Sequence, residues 1–408
     1  MMTGRQFKSF SRYCAVFAMV LLSLWSPLSA QSQSEPAATD TVTVSLVTFY
    51  PGDESFSIYG HTELRVRQGD LDWYFNYGVF DFETPGFVWR FVTGDAEYLC
   101  VAIAERYARL GMEGRRMVEQ ELNLTQSEAR RVRDMLTVNA LPDNRSYHYR
   151  YLTDNCSTRP RDIIEAALQN DSLAYGNSPR PSMTYRQMMR HYGRNYAWQQ
   201  FGIDLVLGST LDQPLDYREQ MFIPMVLMEG FDHASVTRGG ITSPLVRSKQ
   251  VMVDASEQGL VLPPTPWWCS PMAATLLVLA AAIALTIRDI RRRRVTRWFD
   301  SLLFATLAAI GSVIFFLVTC SQHEALWPNW NLLWAHPLAF IPAVAVWLMP
   351  RSQRLLKMYH SANVVVMALT LALWPIIPQS ANPAFFPLMA ASLLRSASFI
   401  SATRVKRS

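Results

Sequence analysis

Cysteine is scarce in this chain of 408 residues, which contains only five. Two of them, Cys100 and Cys156, lie between residues 41 and 250, so at most one disulfide bond can form within that region. The sequence has no CxxC pair and no HExxH motif, so we expect neither a metal site nor a cofactor. The same region shows no internal repeat, which excludes a repeat architecture there.

Long apolar runs are also missing from residues 41 to 249, and this absence predicts one globular domain, at 41–250. The first 30 residues are different. Basic residues precede an apolar run at 14–25, and small residues follow where a signal peptidase cuts. We therefore predict a signal peptide at 1–30, or a membrane anchor if it stays uncut. In both cases the domain is exported.

The C-terminal third contains five apolar runs, each long enough to cross a bilayer. They predict an all-α transmembrane domain of five helices at 263–403, with spans near 271–287, 300–320, 332–349, 360–377 and 384–400. Core helices of a soluble protein are the alternative, but they do not explain the charges of the connecting segments.

Lys and Arg are absent from two of the connections, 321–331 and 378–383, whereas 288–297, 350–357 and 404–408 are basic. The positive-inside rule then places the globular domain outside the membrane and the C-terminus inside. Basic inside loops also explain the pI of about 8.9, so no nucleic-acid partner is expected.

HTELRVRQGDLDWYFNYGVFDF (61–82) alternates between apolar and polar residues, as a β-hairpin does. Placing Leu64 opposite Phe75 gathers the apolar side chains on one face. The same register puts His61 and Asn76 on the other face as diagonal neighbours, within reach of one another.

Cys156 follows alternating tyrosines in YHYRYL (147–152) and precedes PRDIIEAAL (160–168), which is helical in pattern. Either the helix starts at Asn155, or Thr158 caps a helix that begins just after it. Both versions place Cys156 near the positive end of a helix, which favours the thiolate.

These residue types permit nucleophilic catalysis, with Cys156 as nucleophile, His61 as base and Asn76 orienting the imidazole. Backbone N–H groups at the helix start could form an oxyanion hole. Three alternatives remain open: a disulfide between Cys156 and Cys100, a buried structural Cys156, and an ordinary surface histidine at His61.

The order of these residues, with the cysteine last, resembles the circularly permuted branch of the NlpC-type papain-like fold, which includes the lecithin:retinol acyltransferase family. FYPGDESFSIYGHTELRV (49–66), FNYGVFDFETPGFVWRFVTGDAEY (75–98), LTDNC (152–156) and HEALWPNWNLLWAHPL (323–338) together resemble a family of Bacteroidetes membrane proteins. The outside part of those proteins is named the Lnb N-terminal periplasmic domain.

The resemblance implies an α+β papain-like periplasmic domain and a thiol acyltransferase. Such an enzyme moves a fatty acyl chain from a membrane phospholipid to the N-terminal lipidated cysteine of a lipoprotein. By matching position, Cys156 and His61 correspond to nucleophile and base, and Asn76 to the third residue. In loop 321–331, Glu324 and His323 are candidate substrate-binding residues.

Two other functions fit the sequence. A periplasmic cysteine amidase or endopeptidase acting on peptidoglycan would use the same core and would need a polar cleft. A membrane-anchored assembly protein without enzymatic activity would have Cys156 paired with Cys100, and thiol labelling would detect that pairing.

Overall fold

The computed structural model describes residues 41–54, 56–81, 83–104, 114–169, 172–176, 181–255 and 262–403. The predicted signal peptide at 1–30 and the basic segment 404–408 lie outside the described residues.

A seven-stranded antiparallel sheet is the centre of the N-terminal part, with strand order β10-β5-β1-β2-β3-β4-β6. Its strands are β1 (Val42–Phe49), β2 (His61–Gln68), β3 (Leu71–Val79), β4 (Glu97–Ala104), β5 (Met117–Leu122), β6 (Ser146–His148) and β10 (Val246–Val253). A second sheet has three short strands: β7 (Ser172–Ala174), β8 (Ser235–Arg238) and β9 (Ile241–Pro244).

Seven helices are described in this part of the chain: α1 (Phe87–Thr93), α2 (Gln126–Asn139), α3 (Thr158–Leu168), α4 (Tyr185–Tyr192), α5 (Ala197–Val206), α6 (Tyr217–Gln220) and α7 (Pro224–His233). Thr125 and Glu128 form a capping box at the start of α2. α2, α3 and α7 bury one face of the large sheet in a core that includes Leu64, Phe75 and Ile164.

The hairpin register is the predicted one, since Leu64 pairs with Phe75 and Val66 with Trp73 across β2 and β3. The alternation of tyrosines was only partly a strand, because β6 ends at His148. The rings of Tyr149 and Tyr151 still lie close, with centroids 5.2 Å apart.

Five apolar segments in the C-terminal part are long enough to cross a membrane, as predicted. They contain α8 (Pro271–Arg292), α9 (Arg297–Cys320), α10 (Phe340–Ala345), α11 (Gln353–Leu373) and α12 (Phe385–Ala402). The third segment, Trp330–Leu348, is not one regular helix: α10 is only its middle, and 3₁₀ turns precede and follow it. Pro337 and Pro342 cannot donate backbone hydrogen bonds, which disfavours a continuous helix there.

Both connections without Lys or Arg contact the N-terminal part. The backbone N–H of Gly208 donates to the carbonyl of Ala325 at 2.8 Å, and the Asn382 amide donates to the Asp204 carboxylate at 2.9 Å. Asp204 is fully buried and also pairs with Arg186 at 3.2 Å. The two connections therefore lie at the end of the bundle that contacts the N-terminal part.

Candidate active site

The hairpin brings His61 and Asn76 together, as predicted. Asn76 Oδ1 lies 2.9 Å from His61 Nε2, and Glu63 Oε1 is 3.8 Å from the same nitrogen. With the amide oxygen as acceptor, Nε2 carries the ring proton and Nδ1 is the basic nitrogen. This tautomer is the one a general base needs.

Cys156 lies in the turn that leads into α3. The Asn155 Oδ1 atom accepts hydrogen bonds from the backbone N–H groups of Ser157 at 2.7 Å and Thr158 at 2.9 Å. The helix begins at Thr158, so Thr158 is its first residue and not its cap. Asn155 fills the capping role, and the helix starts two residues after the cysteine.

The turn packs against the start of β2. The Thr62 hydroxyl donates to the Cys156 carbonyl, and the Thr62 backbone N–H donates to the Cys156 sulfur. Cys156 is thus held against the residue next to His61. Between the His61 ring and the sulfur there is no hydrogen bond in the described structure. Catalytic contacts of this kind often form only when substrate is bound.

The acidity of Cys156 differs from the sequence-based expectation. Burial raises the pKa of its thiol, and hydrogen bonds from the Tyr149 hydroxyl and the Thr62 N–H offset this only in part. The expected helix-terminus effect is therefore outweighed by desolvation. At rest the nucleophile is a protonated thiol, so attack requires a base.

Glu63 is a candidate site residue to which the sequence analysis gave no role, although it lies two residues after His61 on the same face of β2. It is buried, and burial raises the pKa of its carboxyl to about 7. Burial also lowers the pKa of His61, while the Glu63 charge acts in the opposite direction. Ionised Glu63 therefore makes His61 a stronger base.

Tyr149 is the second residue that sequence reasoning missed. Its hydroxyl donates to the Cys156 sulfur and accepts from the Cys156 N–H at 3.3 Å. Its ring stacks on Tyr98, with centroids 4.7 Å apart, and lies over Gly78. A Cβ at Gly78, where φ is +94°, would meet that ring at 2.8 Å. The alternating tyrosines just before Cys156 are the sequence feature that could have indicated a tyrosine close to the sulfur.

The helix N–H groups expected to form an oxyanion hole are not free, because Asn155 accepts hydrogen bonds from those of Ser157 and Thr158. The Cys156 N–H and the Tyr149 O–H remain as donors close to the sulfur. The Tyr149 O–H can rotate toward an oxyanion formed on a carbonyl attacked by Cys156, and the Cys156 N–H can donate to the same oxyanion in place of Tyr149.

Cys100 and Cys156 are both free thiols in this structure. Cys100 hydrogen-bonds with Tyr77, and burial raises the pKa of its thiol to about 11. Within the described ranges, no group of three or more His, Cys, Asp and Glu side chains could hold a metal ion.

Glu324 and His323 lie next to the site, and both contact residues of the N-terminal part directly. The Thr153 hydroxyl donates to Glu324 at 2.8 Å, and His323 Nε2 is 2.8 Å from the Phe91 carbonyl. Arg150 is 3.7 Å from the other Glu324 oxygen. The predicted role of Glu324 and His323 in substrate binding stays a prediction.

A patch of exposed apolar side chains on α1 joins the site to the bundle. Val88 is 63% exposed and Trp89 62%. The Trp89 ring lies 5.6 Å from that of Phe316, four residues before the end of α9. On the other side of α1, the Phe87 ring packs 6.0 Å from Tyr98, which stacks on Tyr149. α1 thus contacts a membrane helix through Trp89 and, through Phe87 and Tyr98, the tyrosine that contacts Cys156.

Two family models match the chain. The Lnb N-terminal periplasmic domain matches residues 30–191, and the Lnb transmembrane domain matches residues 264–407. Together they account for most of the sequence. Comparisons with curated proteins and with solved structures gave no match.

Proposed function

We propose a function from one premise: the chain belongs to the Lnb family of membrane proteins that modify lipoproteins. It is accordingly a multi-pass protein of the bacterial inner membrane with a periplasmic domain. Our proposal is that it is a lipoprotein N-acyltransferase, which moves a fatty acyl chain from a phospholipid to the α-amino group of a lipidated N-terminal cysteine through a thioester on Cys156.

The observation that carries the proposal is the position of Cys156. Its sulfur is bound by the Tyr149 hydroxyl and by the N–H of Thr62, next to the base candidate His61. The oriented His61–Asn76 pair supplies the remaining parts of a cysteine–histidine site. The uncharged resting thiol fits an enzyme that needs reactivity only when substrate is present.

In the first step, His61 Nδ1 takes the thiol proton as the sulfur attacks the ester carbonyl of a phospholipid. An S–C bond forms, and the oxyanion is held by the Cys156 N–H and the Tyr149 hydroxyl. The ester C–O bond then breaks, and His61 returns the proton to the leaving lysophospholipid oxygen.

In the second step, the neutral α-amine of the lipoprotein attacks the thioester. A C–N bond forms, the C–S bond breaks, and His61 takes a proton from the amine. That proton passes to the departing sulfur, so the thiol is restored. No further reactant is needed.

Delivery of lipid substrates is supported by the exposed patch on α1. Trp89 packs beside Phe316 on α9 and Val88 is exposed next to it in the chain, so an acyl chain leaving the bilayer meets apolar surface before it reaches Tyr149. Glu324 keeps a half-exposed carboxylate beside Thr153, where it could hold the ammonium form of the incoming amine or a headgroup. These features favour a lipid acyl donor over peptidoglycan.

The test is reconstitution of the full-length protein in proteoliposomes with a purified diacylated lipoprotein. The wild-type protein should add one acyl chain to the N-terminal cysteine, as measured by mass spectrometry. Cys156→Ala should abolish this gain, whereas Cys100→Ala, which removes the other buried thiol, should keep it. Cleavage of peptidoglycan fragments without any acyl transfer would contradict the proposal and favour the amidase alternative.

A further inference from the structure

A cavity of about 430 Å³ lies at the end of the bundle opposite the sheet. It is formed where α8 ends and α9 begins, and Trp347 of the third segment closes one side. Its lining includes Arg292, Arg294, Arg297 and Trp298. Arg293 adopts a left-handed conformation, with φ of 48°, and thereby reverses the chain between the two helices.

Arg288 and Asp289 also line the cavity, and on that side the charges neutralise one another. Arg395 binds Asp289 at 2.7 Å and Asp300 at 2.5 Å. Asp289 also accepts hydrogen bonds from the hydroxyl and the backbone N–H of Thr296. Arg288 donates to Thr296 at 2.7 Å and lies 3.6 Å from Asp289. Two guanidinium groups are thus balanced by two carboxylates.

The cavity is lined by three arginines besides Arg288, and no carboxylate of the described residues neutralises their charges. Within the part of the chain that the structure describes, Arg292, Arg294 and Arg297 have neither a carboxylate nor a hydrogen-bond partner for their side chains. Three like charges around one cavity repel each other, and an anion placed among them relieves that repulsion. Guanidinium groups suit a phosphate because they bind its oxygens two at a time.

The location of the cavity points to a lipid. α9 has 24 residues and therefore spans about 36 Å from Arg297 to Cys320. Just beyond its far end, the Gln322 N–H binds the carbonyl of Thr93 in the N-terminal part. The cavity is thus one membrane thickness away from the catalytic domain. Trp298 is 58% exposed and Trp347 54%, as is usual for aromatic residues at headgroup level.

We propose that this cavity binds the phosphate group of an anionic phospholipid in the leaflet opposite the catalytic domain. Basic loops orient any membrane protein, but orientation does not require the charges to converge on a cavity. Exposed apolar side chains, those of Leu302 and Leu348, continue along the bundle beside the cavity, where acyl chains would lie. The site is separate from Cys156 and does not depend on its chemistry.

The experiment uses full-length protein delipidated in a neutral detergent and titrated with phosphatidylglycerol, phosphatidylcholine or inorganic phosphate. Bound lipid is counted by native mass spectrometry. Phosphatidylglycerol should bind more tightly than phosphatidylcholine. Arg292→Gln/Arg294→Gln should weaken phosphatidylglycerol binding by about tenfold or more, from the loss of two charges near the headgroup.

The matched control is Arg291→Gln/Arg293→Gln, which removes the same charge from the same loop without altering the lining. It should stay within about threefold of wild type. Unchanged thermal stability in detergent would show that both variants fold. Equal losses in the two variants would overturn the proposal, because binding would then follow loop charge alone. Displacement of phosphatidylglycerol by millimolar inorganic phosphate would overturn it in favour of a free-phosphate site.

Discussion

Burial acts on both partners of the proposed catalytic pair. It raises the pKa of Cys156 and lowers that of His61, because each charged form loses solvation. The resting state is therefore a neutral thiol next to a neutral imidazole. Glu63 favours the imidazolium that must form during the reaction. The ionisation of Glu63 is therefore expected to change the basicity of His61.

Glu63→Gln should change the pH dependence of acyl transfer. The pKa of Glu63 is about 7, so the carboxylate forms as the pH rises through 7 and then strengthens His61 as a base. Wild-type kcat/KM should rise across this range, and the variant should lack that limb and reach a lower plateau. Superimposable pH profiles would exclude a role for Glu63.

The same substitution has a consequence for stability. The native pKa of Glu63 is raised above its ordinary 4.5, so the fold holds this proton more tightly than the unfolded chain does. The resulting stabilisation is complete below pH about 4.5 and is lost as the pH rises through about 7. Glu63→Gln should remove this loss in thermal unfolding measured between those pH values.

Tyr149→Phe should lower kcat by about 100-fold or more with little change in KM, because it removes one oxyanion donor and keeps the ring. The matched control is Tyr151→Phe. That hydroxyl bonds with Tyr98 at 3.0 Å, and its loss should leave kcat within a few fold of wild type. Equal effects of the two substitutions would mean that the tyrosines act only through packing.

The positions of His61, Asn76 and Cys156 in the fold could be predicted from short-range patterns. Strand alternation places the first two, and the helical pattern that follows Cys156 places the third. Tyr149 and Glu63 could not be given roles in the same way. Their importance depends on how the turn before α3 packs against β2, which no local pattern specifies. The same packing desolvates Cys156 and reverses the expected direction of its pKa shift.

At the scale of elements, α1 combines a contact with the membrane bundle and a face of exposed apolar side chains. Its exposed face carries Val88 and Trp89, and Trp89 packs on Phe316 of α9. Aromatic and aliphatic side chains at the membrane surface make contact with lipid more favourable.

Val88→Lys should raise the KM for phospholipid by about three- to tenfold and leave the intrinsic rate of Cys156 acylation largely unchanged, because a charge at the lipid interface hinders entry of the donor. Val138→Lys on α2 is the matched control, since Val138 is 51% exposed. It should behave as wild type. Kinetics in mixed micelles at varied phospholipid fraction measure both, and identical KM values would refute the lipid-entry role of α1.

The elements themselves were predictable to different degrees. The hairpin register followed from alternation, since a slip of one residue would have exposed the apolar face. The five spans followed from length and hydropathy. The break in Trp330–Leu348 was missed, because composition indicates an apolar segment without showing that its prolines interrupt the helix.

For the whole molecule, the contacts of 321–331 and 378–383 with the N-terminal part place those connections on its side of the bundle. With five crossings, the C-terminus would then lie on the cytoplasmic side. A cytoplasm-active reporter fused to the C-terminus should therefore work, and a periplasm-active reporter at the same position should not. The reverse result would mean that one of the five segments does not cross the membrane.

The central claim is that Cys156 carries the acyl chain, and trapping the intermediate tests it most directly. Full-length protein incubated with phospholipid and no acceptor should gain one acyl-chain mass on the peptide that contains Cys156, and neutral hydroxylamine should remove it. Cys100→Ala should give the same adduct and Cys156→Ala none. Acyl transfer to a lipoprotein by Cys156→Ala, or the absence of any adduct on Cys156 in an active wild-type preparation, would contradict the account.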